Sequence, residues 1–191
     1  MTQILPEDFS LERYGLHVRF VNEEDAEFIL SLRTDSRLGK YINLTSSDLE
    51  KQIEWTRLYK IRERQGLDYY FMFEKPYGNR LGVSRIYNIE KDSFMTGSWV
   101  FKKDAPFGAA FLGDIICHEI AFEIFPDSLN YHDTEKKNHN VLKYAEQFGP
   151  TLLSETGSKC SFVNSRENYF IHKDIYLKKL LPLVARFNKS K

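Results

Sequence analysis

FMTGSWVFKKDAPFGAAFLGDIICHEIAFEIFPDSLNYHDTEKKNHNVLKYAEQFG, residues 94–149, reads as strand, loop, helix, strand, helix. Residues 93–101 carry the strand, and 102–107 form a loop that ends before Gly108. Residues 109–125 are apolar on almost every side, with Asp114, His118, Glu119 and Glu123 as a narrow polar edge, which predicts a helix packed into a core. Residues 128–134 form a short strand, and 138–148 place Val141, Leu142, Ala145 and Phe148 on one helical face. Gly149 then suits a left-handed helix end, and Pro150 blocks continuation. A strand, a crossover helix and a second strand imply one parallel pair. A strand feeding a helix N-terminus also leaves amides that suit an anion, and Gly108, Ala109 and Ala110 put little side-chain bulk in the way.

Working outward, residues 16–21 alternate like a half-buried strand, and Asn22 reads as the cap of a helix with Ala26, Ile29 and Leu30 inward. Ser47 and Glu50 have the spacing of a capping box for a second helix ending near Arg64. Strands over 68–74, 80–89 and 93–101, separated by turns at 75–79 and 90–92, predict an antiparallel meander. Two further strands are expected at 159–164 and 168–172. The tail, about 174–188, reads as a helix that Pro182 should kink or end. The fold class is therefore α/β (α+β), a mixed and mostly antiparallel sheet of about seven strands in a single domain over 1–191, with its core at about 15–173.

Composition excludes several classes. The 191 residues suffice to bury about 70% of the unfolded surface without disulfide or metal. Lys+Arg and Asp+Glu both number 27, which argues against nucleic-acid binding by bulk charge. Cys117 and Cys160 lack metal or disulfide-scaffold spacing, and the five histidines show no ligand pattern, so no metal is expected. No basic leader precedes an apolar run and no apolar stretch would span a bilayer, so a cytoplasmic protein is expected.

The sequence resembles the GNAT superfamily of acetyl-CoA-dependent N-acetyltransferases over about residues 16–172. Gly97-Ser98-Trp99-Val100 is similar to the G-Y-W-L/I of the family's fourth strand in its ribosomal-protein-acetyltransferase branch. Gly108-x-Ala110 resembles the end of the Q/R-x-x-G-x-G/A pyrophosphate loop, and Asn138-x-x-Val141 with Gly149 resembles the second cofactor segment, N-x-x-S/A…G-F. Residues 138–149 also look like members found with surface-polysaccharide amino-sugar enzymes. The resemblance implies that the fourth and fifth strands splay apart around acetyl-CoA. Pantetheine would pair with the backbone of Trp99, Val100 and Phe101, the pyrophosphate would meet Gly108, Ala109 and Ala110, and Asn138 would hold the pantetheine side. Asn138 has a second reading as a helix N-cap.

The departures are specific. Ala105, Met95 and Ala145 stand where the family has a loop Gln/Arg, a strand glutamate and a thiolate-protonating tyrosine, and Pro150 follows Gly149 in place of Phe. Tyr144 is adjacent to Ala145 but turned about 100° around the helix. Asp133 is the first candidate base; alternation puts it beside Tyr131 on the face opposite His132. Its alternative is a solvated strand-end carboxylate; Glu90 and Asp92 at the hairpin turn rank second as bases, and His132, with a side chain that titrates near neutral pH, is a further candidate on the other face. Arg33, Arg37, Tyr41 and Trp55, with the loop 38–45, are expected around the acceptor. An arginine pair with aromatics suits an anionic sugar nucleotide. The expected activity is acetyl transfer to a small-molecule primary amine; the alternatives are a protein N-terminus as acceptor, or a non-catalytic acyl-CoA-binding module. In the tail, Leu177, Leu180, Leu181 and Val184 are in helical register, and the late strands with the tail helix from Ile175 to Phe187 could bury an apolar stripe against a second copy in a homodimer.

Overall fold

The computed structural model describes residues 4–41 and 46–189. Eight strands form one sheet in the order β1-β2-β3-β4-β5-β6-β8-β7. They are β1 (Ser10–Arg13), β2 (Leu16–Phe20), β3 (Tyr69–Lys75), β4 (Asn79–Tyr87), β5 (Ser93–Phe101), β6 (Leu129–Glu135), β7 (Thr151–Glu155) and β8 (Lys159–Asn164). All neighbours are antiparallel except β5 and β6, the expected parallel pair. The helices are α1 (Ala26–Thr34), α2 (Leu49–Arg64), α3 (Ala109–Ile124), α4 (His139–Ala145) and α5 (Arg166–Lys189).

Both faces of the sheet are covered, and the sequence of β3 shows why. Tyr69, Phe71 and Phe73 join the core under α3, while Tyr70 and Met72 join Ile29, Leu32 and Tyr59 under α1 and α2. A strand buried on both sides needs apolar residues at every position, not alternate ones. Of the polar edge expected on α3, only Glu123 faces solvent. Asp114, His118 and Glu119 are buried, and Glu119 pairs with Arg13 at 2.9 Å and Lys173 at 2.9 Å.

Several local expectations are corrected. Residues 168–172 are not a strand but the first turns of α5, where Ser165 Oγ accepts from the Asn168 amide at 3.3 Å. Tyr169, Lys173, Leu177 and Leu180 are buried at helical spacing, a pattern that five residues cannot reveal. The helix continues past Pro182, because Pro182 and Lys178, whose carbonyl loses its amide partner, both lie on the exposed side. Leu177, Leu180 and Val184 pack within the chain, leaving Leu181, Ile171 and Ile175 exposed. The edge strands β1 and β7 went unread; every residue of β7 is exposed, so no alternation marks it. Asp48, not Ser47, caps α2, accepting from the Lys51 amide at 3.3 Å. On α1 the inward residues are Ala26, Ile29 and Leu32; Leu30 is half-buried. No described helix is long and apolar enough to cross a membrane.

Asp25 ties the first helix to the sheet. Its carboxylate accepts from the Asn22 amide at 2.8 Å, from Arg19 at 2.8 and 2.9 Å, and pairs with Arg80 at 2.8 Å. Burial works against ionisation, but the Arg19 and Asn22 hydrogen bonds prevail and hold the carboxyl below the usual range. A depressed carboxyl contributes fully above its unfolded value and loses that contribution as pH falls through the folded one. Asp25→Ala should therefore lose roughly 3–5 kcal/mol at pH 7, because two arginines lose their shared partner. The deficit should shrink below about pH 4, where native Asp25 is protonated in the unfolded chain. Urea unfolding at pH 7 and pH 3 measures both.

Candidate active site

The site begins where pairing stops. β5 and β6 are in register only at Ser93↔Leu129, Phe94↔Asn130 and Met95↔Tyr131. Beyond them, β6 stays with β8 as far as Glu135↔Lys159, and β5 stays with β4. Val83 pairs with Val100 and Arg85 with Gly97, so Ser98 and Trp99 together stand opposite Ser84. That extra residue is a β-bulge, and Ser98 adopts φ +50°, a left-handed conformation uncommon for serine. The end of β5 is fixed by packing: a Cβ on Gly82 or on Gly113 of α3 would come within 2.3 Å of the Phe101 ring.

Two cavities open from this fork. The first, about 460 Å³, lies between the parted strands and α3 and α4, and is lined by Trp99, Val100, Phe101, Ala110, Asn138 and Tyr144 among others. The second, about 580 Å³, lies on the α1 and α2 face, and is lined by Arg33, Lys51, Trp55, Tyr70, Arg85 and Tyr87 among others. Tyr41, Thr96, Gly97, Ser98, Asp133 and Glu135 line both, so the cavities meet at the fork. A donor in one and an acceptor in the other would face each other across the bulge.

The sequence-derived residues mostly converge. Asp133, Tyr144, Trp99, Val100, Phe101, Ala110 and Asn138 all line the first cavity. Asn138 stands at the N-cap position of α4 without a side-chain cap bond, so its amide is not committed to the helix. Gly108 and Ala109 lie elsewhere. Gly108 has φ +83°, and a Cβ there would come within 2.4 Å of Val184 on α5. Ala109 is buried in the main core. The glycine is thus required by the turn and by the packing of α5 over this loop, where the Phe107 ring also meets Phe187 at 4.8 Å. Of the residues expected around the acceptor, Arg33 and Trp55 line the second cavity, Arg37 lines the first, and Tyr41 lines both. Positions 42–45 of the expected acceptor loop lie outside the described residues.

Tyr144 turns its hydroxyl inward, donating to Asp114 Oδ2 at 2.8 Å while its ring packs on Trp99 at 5.0 Å. Burial, and then the Asp114 charge, push this phenol well above its ordinary range, so it stays protonated. Asp114 is itself raised by burial, against the pull of His118 and Tyr144. The polar chain continues from His118 Nε2 to Thr96 Oγ1 at 3.2 Å and from Asn130 Nδ2 to Thr96 Oγ1 at 3.3 Å. Sequence reasoning saw these residues only as a helix edge. It also passed over Glu135, whose i, i+2 spacing from Asp133 puts both carboxylates on one face, and Arg85, whose guanidinium lies over the Trp55 and Tyr87 rings at 5.1 Å each.

A scan of the sequence against family models gave no match, and a search of curated proteins gave none. The fold has clear neighbours among solved structures. One is apo FdhC, a nucleotide-linked sugar GNAT, with TM-score 0.79 and 28% identity over 91% of this chain and 99% of that one. A second is ribosomal-protein-S5-alanine acetyltransferase from Vibrio fischeri, at TM-score 0.71 and 14% identity over 85% and 99%. A third is spermidine N-acetyltransferase from Vibrio cholerae in complex with CoA and spermine, at 0.67 and 15% over 83% and 99%. The chain has the GNAT fold, and β5 and β6 are that fold's splayed fourth and fifth strands. The neighbours named are acetyltransferases, and the chain shares their fold.

His132 faces away from Asp133, as alternation predicts, and stacks on Phe162 at 5.1 Å. Burial, followed by nearby His118, lowers its pKa to about 4. An unfolded histidine titrates near 6.5, so the unfolded chain takes up this proton first and stability falls as pH drops from about 6.5 to about 4. Between pH 7 and pH 5 native protein should lose about 2 kcal/mol more than His132→Phe, which lacks this proton. Paired urea titrations at the two pH values test it.

Proposed function

We propose that the protein transfers an acetyl group from acetyl-CoA to the primary amine of an amino sugar carried on a nucleotide. The observation that carries this reading is the composition of the second cavity. Asp133 and Glu135 stand at its junction with the first cavity, while Arg33, Lys51 and Arg85 line it together with Trp55, Tyr70 and Tyr87. An ammonium suits the acidic end, and phosphates with a flat base suit the cationic, aromatic remainder. The 28% identity to a nucleotide-linked sugar GNAT over nearly the whole chain supports the same acceptor class.

Acetyl-CoA would lie in the first cavity, with pantetheine along Trp99, Val100 and Phe101 and beside Asn138, and its diphosphate toward the loop before Ala110. Gly108 and Ala109 would act there through the backbone conformation they permit. The amine nitrogen attacks the thioester carbon, a C–N bond forms, and the C–S bond breaks as the tetrahedral centre collapses. Asp133, on the acceptor face at the fork, takes the proton the amine releases. The Ser98 bulge, where two residues of β5 stand opposite one of β4, can turn a main-chain N–H toward the developing oxyanion. The departing thiolate needs a proton, and Tyr144 is the candidate donor once its hydroxyl leaves Asp114.

Asp133→Asn should lower kcat by about 100-fold or more while CoA affinity stays within about twofold. An unaltered kcat across pH would remove Asp133 as the base. Release of free CoA should be seen with amino-sugar nucleotides; turnover of N-terminal peptides alone would overturn the acceptor assignment.

A further inference from the structure

We propose that His132 binds the acyl donor directly, its ring N–H donating to the carbonyl oxygen of the thioester. The inference rests on the acyl-CoA reading of the first cavity. His132 is the first residue of β6 beyond Tyr131, the last one paired with β5, so it sits at the root of the fork. Its counterpart on β5, Thr96, and its chain neighbour Asp133 line both cavities. The donor's carbonyl carbon has to lie at that junction if an amine from the second cavity is to reach it.

Among the described residues, the two ring nitrogens of His132 are buried and have no hydrogen-bond partner. Most of the polar groups around it are already paired with one another; the buried Tyr169 hydroxyl is not. Thr96 Oγ1 meets His118 Nε2 at 3.2 Å and Asn130 Nδ2 at 3.3 Å, His118 Nδ1 meets the Asp114 carbonyl at 2.9 Å, and Asp114 accepts from Tyr144 at 2.8 Å. Leaving a buried imidazole outside such a chain is costly for the fold, and a ligand that supplies the missing partner relieves that cost. His118 and Asp114 from α3, Tyr144 from α4, Tyr169 from α5 and Asp133 on its own strand share the cavity lining with it. In these surroundings the ring is neutral near pH 7, with one N–H to donate and one nitrogen to accept. A neutral N–H can follow the carbonyl oxygen as it gains negative charge, and no proton changes hands through His132.

Calorimetric titration of the intact protein with CoA and with acetyl-CoA tests this, for native protein, His132→Phe and His132→Gln. His132→Phe keeps a ring to stack on Phe162 but has no donor; it should hold CoA within about twofold of native and lose about tenfold in acetyl-CoA affinity. His132→Gln retains an N–H and should recover most of that loss. The ligand-free melting temperature of His132→Phe should match or exceed native, since an unpaired polar group has gone. If Phe is not accommodated, His132→Leu carries the same comparison. Native-like acetyl-CoA affinity in the Phe or Leu variant, or equal losses for CoA and acetyl-CoA, would overturn the role of His132. Failure of the native protein to bind either ligand would instead overturn the acyl-CoA reading.

Discussion

The site depends on one constraint: the parallel pairing of β5 with β6 ends after Met95 and Tyr131. A sheet that stops pairing in its middle leaves main-chain donors and acceptors needing other partners, and an opening that water or a ligand must fill. The chain enforces this break from both sides. On β5, the bulge at Ser98 and the Phe101 ring packed against Gly82 and Gly113 hold the strand to β4 and α3. On β6, an unbroken ladder to β8 draws the strand the other way. Two cavities on opposite faces then share one short boundary, which is the geometry that transfer between two substrates requires.

Much of this was legible in the sequence, for reasons that can be named. The strand–loop–helix–strand order over residues 94–149 fixes a parallel pair, because only a crossover connection lets the second strand run the same way. The strict two-residue period of a strand set Asp133 and His132 on opposite faces, and the structure has them so. The small residues after the loop were legible as well, but their purpose was not. Gly108 answers to Val184, a contact that local spacing cannot reveal.

What escaped reading shares a physical cause. β7 has no buried face, so it has no pattern. The start of α5 looked like a strand because five residues span too little of a helical period. Asp114 and His118 read only as part of a polar helix edge, because local spacing names no partner for them; here each is buried and paired in a polar chain. Tyr144 was placed by its distance from Ala145, yet its hydroxyl is directed by Asp114, a residue on another helix. Partners that lie far apart in sequence decide these cases.

The central claim is that the fork between β5 and β6 holds the acyl donor with its thioester between the Ser98 bulge and Asp133. A crystal structure of the protein with bound acetyl-CoA tests it most directly. The account predicts pantetheine in the first cavity along Trp99–Phe101, with the acetyl carbonyl at the junction of the two cavities. Acetyl-CoA bound elsewhere, or with its thioester turned away from Asp133, would contradict it.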